Sequence, residues 1–138
     1  MASGFNTDTR NSILDDLFKT SVPESNTVYL ALCITEPGDD PVMSNHEVPG
    51  AFSYARTAIQ FNTGAAAGAI SNDADCTFPA ASGGAWGTAA FGAICASGVW
   101  GTDDSIMSGS MTVSKVIGDA DQIVFPAGNV TASVAAQA

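Results

Sequence analysis

The feature that most constrains this fold is a change in the spacing of apolar residues after the first two dozen positions. Near the N-terminus Ile13, Leu14, Leu17 and Phe18 recur at helical spacing. From Val28 onwards apolar residues alternate with others in short runs, and clusters of Gly, Pro, Asn and Asp separate the runs. The sequence therefore predicts one short N-terminal helix followed by β-structure.

The predicted helix lies in the segment RNSILDDLFK. Ser12 and Asp15 can form a capping box at its start, and Asp8 or Thr9 can equally begin it. Pro23 ends it, because the residue before a proline is disfavoured in a helix.

The first predicted strand is TVYLALCI, which is apolar on both faces, as is typical of a central strand covered on both sides. A long loop at residues 35–51 follows, rich in Pro, Gly, Asp and Asn. In the later segment SIMSGSMTV, Met107, Gly109, Met111 and Val113 share one face, which predicts a half-buried strand. The remaining strand signals lie in SYARTAIQF, DCTFP, AWGTAAFGAIC, QIVFP and NVTASV.

These seven or eight short strands have the spacing of a sandwich. The predicted fold class is all-β: an antiparallel two-sheet sandwich, jelly-roll-like, with one short N-terminal helix. At 138 residues the chain fits a single domain, residues 1–138, and it is large enough to fold without disulfide or metal. Residues 1–22 form its predicted N-terminal arm and helix, and residues 35–51 its long loop.

The charge of the chain excludes two classes of partner. Its 14 acidic and 4 basic residues give a net charge of −10, and the basic residues are scattered, so we expect no binding to nucleic acid. We expect no membrane partner, because anionic surfaces repel the chain and no apolar run reaches the ~20 residues of a membrane helix. The start MASGFNTDTRNS lacks the pattern of a signal peptide, so we expect synthesis in a cytoplasm.

Catalytic and metal-binding patterns are weak. His46, the single histidine, has no nucleophile motif beside it. Carboxylates cluster in several loops, but no EF-hand spacing and no phosphate-binding loop occurs, and Asp also stabilises turns through its own side chain. The sequence predicts no catalytic, cofactor or metal site. Cys33, Cys76 and Cys95 form no CxxC pair, and we interpret them as three thiols outside any disulfide.

Aromatic residues leave two interpretations open. Trp86, Trp100 and Phe91 can form a platform on which a sugar stacks. Aromatic side chains in a small sandwich more often fill the core, and we favour that interpretation.

The order of motifs resembles a phage family of tail-fibre-like or head-decoration proteins, over about residues 13–134. The resemblance lies in YLALCITEPGD, EVPGAFSYAR, FPAASGGAWG, SKV and FPAG. These motifs look structural, as turns, strand ends and an arginine, Arg56, held near acidic loops. Met111 and the three cysteines depart from the pattern. In size and pattern the chain is also similar to capsid cement proteins, jelly-rolls that sit on a phage head as homodimers.

The resemblance implies a structural virion protein without enzymatic activity or cofactor. We expect a cement protein, made in a bacterial host, that binds the phage major capsid protein on the outer capsid surface. We expect a homo-oligomer, with a dimer favoured over a trimer. The candidate capsid contacts lie outside the predicted strands, and they are Phe5, Glu36, Asp39, Asp40, His46 and Glu47.

Two alternatives remain. The chain can be a tail-fibre or receptor-binding module in which exposed loops, with Trp100, recognise host surface glycans. It can also be a metal-dependent hydrolase of surface polysaccharide, which would depend on Asp39, Asp40, His46 and Glu47.

Overall fold

The computed structural model describes residues 6–18, 27–39 and 42–135. They form a mostly β protein with one N-terminal helix, α1 Thr7–Phe18. The strands of the described part are β1 Val28–Cys33, β2 Thr57–Ile59, β3 Ala69–Ser71, β4 Cys76–Thr77, β5 Gly87–Cys95, β6 Ser105–Ile117, β7 Val124–Phe125 and β8 Thr131–Ser133. The predicted class, antiparallel β-structure after one helix, is confirmed.

The strands are divided among three sheets. A four-stranded sheet has the order β2-β1-β5-β6, and two small sheets pair β3 with β8 and β4 with β7. Strand β1 lies between β2 and β5, and five of its six residues are buried, as expected for the apolar run TVYLALCI. It runs antiparallel to β5, with Ala31 opposite Ala93. The sequence therefore identified the central strand of the main sheet correctly.

The chain forms two compact units, and each is described by itself. In the described part, the first unit contains residues 6–18, 27, 59–76 and 125–135, and the second contains residues 28–39, 42–58 and 77–124. The prediction of one domain over residues 1–138 stays a prediction.

In the first unit, α1 is stabilised by its own cap and by one apolar edge. Asn6 is the N-cap, because its Oδ1 accepts a hydrogen bond of 2.9 Å from the backbone N–H of Thr9. This residue was not among the predicted helix starts. Leu14 and Phe18 are fully buried, and Phe18 contacts Phe61 at a ring distance of 5.4 Å. Leu17, which shares their helical spacing, is 38% exposed, so the buried edge is narrower than predicted.

In the second unit, residues of β1 and β5 form a core cluster with one residue of the loop that follows β1. The cluster contains Ala31, Cys33, Met43, Ala93 and Cys95, and half-buried Phe91 packs against it. A second group is aromatic: Tyr54, Phe78 and Trp86 pack with ring centroids 5.1 to 6.5 Å apart.

The segment SYARTAIQF is less regular than its alternation predicts. Only Thr57–Ile59 is a strand, although Tyr54 and Arg56 are buried and Ser53 and Ala55 are exposed, as the alternation requires. The hydroxyl of Tyr54 accepts the N–H of Leu32 in β1, and the guanidinium of Arg56 donates to the carbonyl of Ser97 in a loop. After Arg56 the buried face changes, because Ile59 and Phe61 are buried whereas Ala58 and Gln60 are exposed. Alternation therefore predicted both the burial and the secondary structure only in part.

Candidate functional site

Four of the six predicted contact residues lie in the described part, and Phe5 and Asp40 lie outside it. Glu36 and Asp39 are exposed. They line a shallow groove of about 320 Å³ together with Ser105–Ser108 at the start of β6. These two carboxylates are therefore accessible to a partner, and their contact with the capsid stays a prediction.

The loop at residues 35–51 is tied to β1. His46 is half-buried, and its Nδ1 lies 2.9 Å from the hydroxyl of Thr35 within a hydrogen bond. The N–H of Ile34 donates to the carbonyl of His46, and the N–H of Val48 donates to that of Leu32. The described part of the loop also contains a 3-10 turn, Met43–Asn45, whose Met43 is fully buried. The ends of this loop are therefore fixed by backbone hydrogen bonds.

Glu47, the fourth predicted contact, is buried with an exposed fraction of 4%, and it forms an ion pair with Arg56. The Arg56 Nε–H donates to Glu47 Oε1 at 3.0 Å, and Nη2–H donates to Oε2 at 3.0 Å. This fork geometry matches both carboxylate oxygens at once. The carboxylate of Glu47 is thus occupied within the protein.

Arg56 uses its remaining donors on a second loop. Its Nη1 donates to Asp104 Oδ1 at 2.8 Å and to the carbonyl of Ser97 at 2.9 Å, and Nη2 donates to the carbonyl of Thr102 at 2.9 Å. Burial alone would lower the pKa of Arg56, but its hydrogen bonds with Glu47 and Asp104 raise it above its ordinary value. A guanidinium has five N–H donors, and all five have an acceptor here.

Two further donors complete the contacts of Glu47. The hydroxyl of Tyr54 donates to Oε1 at 2.8 Å, and the N–H of Gly101 donates to Oε2 at 3.0 Å. The same hydroxyl accepts the N–H of Leu32 in β1. Burial and the neighbouring Glu47 raise the pKa of Tyr54 above its ordinary value. This closed, fully hydrogen-bonded cluster orders loops and leaves no group free for acid-base chemistry.

The sequence indicated an arginine near acidic loops but did not identify its partners. The sequence predicted that Asp104, like the other clustered loop carboxylates, is solvated, and that Glu47 is a contact residue on the surface. The available signal was charge balance: a buried arginine needs buried or half-buried carboxylates nearby.

The aromatic platform is divided between core and surface. Trp86 is 1% exposed and belongs to the core, whereas Trp100 is 41% exposed. The indole Nε1–H of Trp100 donates to the carbonyl of Val48 at 2.9 Å. A Cβ added to Gly50 would lie 2.6 Å from Cδ2 of the Trp100 ring, so the ring packs directly on the glycine backbone. Trp100 is therefore an exposed aromatic surface held in one orientation.

The sequence context suggested that the clustered carboxylates cap their own turns, but most of them accept backbone N–H groups from other parts of the chain, and among the described residues only Asp121 accepts within its own turn. In the same part of the chain, backbone N–H groups donate to the clustered aspartates in seven pairs: Asn62 and Thr63 to Asp73, Ala127 to Asp75, Met43 to Asp103, Ser97 to Asp104, Gly83 to Asp119, and Gly118 to Asp121. Within residues 6–18, 27–39 and 42–135, no group of three or more His, Cys, Asp or Glu side chains is placed to hold a metal ion. No helix in the same residues is long and apolar enough to cross a membrane.

The three cysteines are buried, and none of them forms a disulfide in the described residues. Burial raises the pKa of Cys33 and Cys95 to about 12 each, and that of Cys76 to about 11. Protonated, enclosed thiols of this kind are poor nucleophiles, so they act as small apolar core residues.

A comparison with protein families decides the class of the protein. The family described as Podophage GP4 fiber I protein gp80 matches residues 4–133. The chain belongs to this phage fibre family. A search of the curated proteins gives no match.

Membership of the fibre family makes the protein a structural component of a virion and not an enzyme. The predicted resemblance to phage virion proteins is confirmed at this level. The family description names a fibre and not a capsid cement, so it favours the fibre alternative over the cement hypothesis.

Proposed function

We propose that this fibre protein is a receptor-binding module that recognises host surface glycans through the exposed face of Trp100. Membership of a phage fibre family carries the general part of the proposal. The geometry around Trp100 supports the finer part, because an exposed, oriented aromatic ring is the group on which the apolar face of a sugar stacks.

Trp100 is fixed before any ligand arrives. Its indole N–H is hydrogen-bonded to Val48, and its ring packs on Gly50. The next residues of the same loop are held by the buried cluster, since Glu47 accepts the N–H of Gly101 and Arg56 donates to the carbonyl of Thr102. Binding to a preordered ring loses little conformational entropy, which favours recognition by a small contact area.

Polar groups flank the ring. Thr102 and Asp103 are exposed in the same loop and can hydrogen-bond to sugar hydroxyls. An aromatic surface combined with a few polar groups is the usual composition of a small-ligand site.

Binding to purified host lipopolysaccharide and to a glycan array tests the proposal. We expect Trp100→Ala to weaken binding at least tenfold. The matched control is Val99→Ala, which truncates a neighbour that is 66% exposed and should leave binding unchanged. Circular dichroism verifies that both variants are folded. Binding by Trp100→Ala equal to that of the wild type, or no glycan binding by the wild-type chain, would contradict the glycan assignment.

The copy number in virions separates a fibre from a cement. Quantitative mass spectrometry of purified particles should give few copies of this chain relative to the major capsid protein. A ratio near one would support the cement hypothesis instead, with Glu36 and Asp39 as the accessible candidates for contact with the major capsid protein.

A further inference from the structure

Strand β6 has an uncovered edge. It is 13 residues long and stands at the end of the order β2-β1-β5-β6, so one side of it has no strand partner within the described part of the chain. Nearly all of its residues are half-buried or exposed. An edge strand presents unpaired backbone N–H and C=O groups, which can pair with a strand from another chain.

The charge on β6 is opposite to that of the whole protein. The chain has a net charge of −10, yet the segment SIMSGSMTVSKVI contains no acidic residue and one basic residue, Lys115. Two copies of a strongly acidic protein repel each other over most of their surfaces. A strand without acidic groups is where a second copy can approach with the least repulsion.

The two ends of β6 are complementary to each other. At its start, Ser105–Ser108 lines the groove that also contains the exposed carboxylates of Glu36 and Asp39. Near its end, Lys115 is exposed. Antiparallel pairing of two β6 strands about Ser110 brings Lys115 of each copy to the Ser105 end of the other, because both residues are five positions from Ser110.

Apolar groups on the same strand add to the contact. Val113 is 70% exposed and Val116 is 75% exposed, which is unusual for apolar side chains on a strand. Val113 lies in an irregularity of β6, between Ser110 and Lys115, where the pairing with β5 shifts, and Val116 lies just after it, opposite Thr88. A second copy would cover part of this apolar surface.

We propose that β6 is the surface through which two copies of this chain associate, in antiparallel orientation, with Lys115 of each copy against Glu36 and Asp39 of the other. The partner is a second copy of the chain because one strand carries the unpaired backbone edge, the exposed valines and Lys115, and the groove at its start carries the opposite charges. Two copies can therefore satisfy each other. An isologous pair of this kind closes at two copies.

Sedimentation equilibrium of the purified chain over a range of concentrations tests the proposal. We expect a dimer whose dissociation constant rises at least tenfold in Lys115→Glu and in Val113→Glu. Both positions are exposed, so both variants should fold, and circular dichroism verifies this. The control is Ala80→Glu, which adds a negative charge at an exposed position outside β6 and should leave the dissociation constant within about twofold.

The charge exchange Glu36→Lys combined with Lys115→Glu is the decisive variant. It keeps the wild-type net charge of −10 and restores opposite charges across the contact, so we expect it to recover most of the dimer that Lys115→Glu loses. The proposal is overturned if the wild-type chain remains a monomer, if it forms a trimer or larger assembly, or if the dimer is insensitive to Lys115→Glu. Failure of the double variant to recover the dimer overturns it as well.

Discussion

Replacing Arg56 by methionine tests the buried cluster directly. Methionine retains most of the volume of the side chain but removes the charge and all five donors. Glu47 loses two of its four hydrogen-bond donors and keeps those from Tyr54 and Gly101. Because the side chain of Glu47 is fully buried, its charge would be left without a counter-ion. Removing one partner of a buried ion pair costs about 3–5 kcal/mol, and we expect Arg56→Met to fall in this range.

Two variants show which part of the cost comes from charge. Arg56→Lys keeps the charge but has three donors that do not form a fork. It should therefore lower the free energy of unfolding, but by less than Arg56→Met does. Arg56→Met combined with Glu47→Gln removes both charges, and it should cost about 1–3 kcal/mol less than the sum of the two single variants.

Urea unfolding followed by tryptophan fluorescence measures these differences, since Trp86 and Trp100 both lie in the second unit with the cluster. The matched control is Arg10→Met, whose unfolding is also followed by far-UV circular dichroism because Arg10 lies in the first unit. Arg10 donates to neutral oxygens, the carbonyl of Val134 and the hydroxyl of Thr7, so its loss should cost about 0.5–1.5 kcal/mol. If Arg56→Met cost less than about 1 kcal/mol, or no more than Arg10→Met, the argument that this ion pair is buried and coupled would be refuted.

Three further predictions concern the stability of the protein, the first two measured by urea unfolding and the third by thermal unfolding. Leu32→Ala, at a fully buried position of β1, should destabilise the protein by about 2–5 kcal/mol, and a change below about 0.5 kcal/mol would be inconsistent with a central strand. Burial raises the pKa of Cys33 and Cys95 to about 12, whereas the thiols of the unfolded chain ionise near pH 9. The free energy of unfolding should therefore be unaffected by these thiols below about pH 9, and above it should fall by up to about 1.4 kcal/mol per pH unit for each thiol. Cys95→Ala should reduce this slope. EDTA and a reducing agent should each leave the melting temperature unchanged within about 2 °C, whereas a loss of 10 °C in EDTA would indicate a structural ion.

The sequence correctly predicted those parts of the fold that local patterns of apolar residues determine. The β1 segment was identified because both of its faces are apolar, and the helix because Leu14 and Phe18 are one turn apart. The start of the helix was missed because Asn6, Asp8, Thr9 and Ser12 are all acceptable caps. Only the hydrogen bond from Thr9 to Asn6 distinguishes them.

Placement within a sheet is harder to predict than the existence of a strand. The alternation in SIMSGSMTV indicated a strand with Met107 and Val113 on its covered face. In the structure Met107 is half-buried and Val113 is 70% exposed, because β6 is the last strand of its sheet and its pairing with β5 shifts between Ser110 and Lys115. Neither the edge position nor the shift is a property of the strand's own sequence, since both depend on which strand lies beside it.

The same limit explains why Glu47 was expected at the surface. An acidic residue in a loop rich in Pro, Gly and Asp is usually solvated. It is buried here because Arg56, Tyr54 and Gly101 supply four hydrogen-bond donors, and those residues lie 7 to 54 positions further along the chain. The donors also tie Glu47 to the loop that holds Trp100. A charge expected to face a partner therefore acts from inside the protein, by fixing the loop whose exposed ring we assign to ligand recognition.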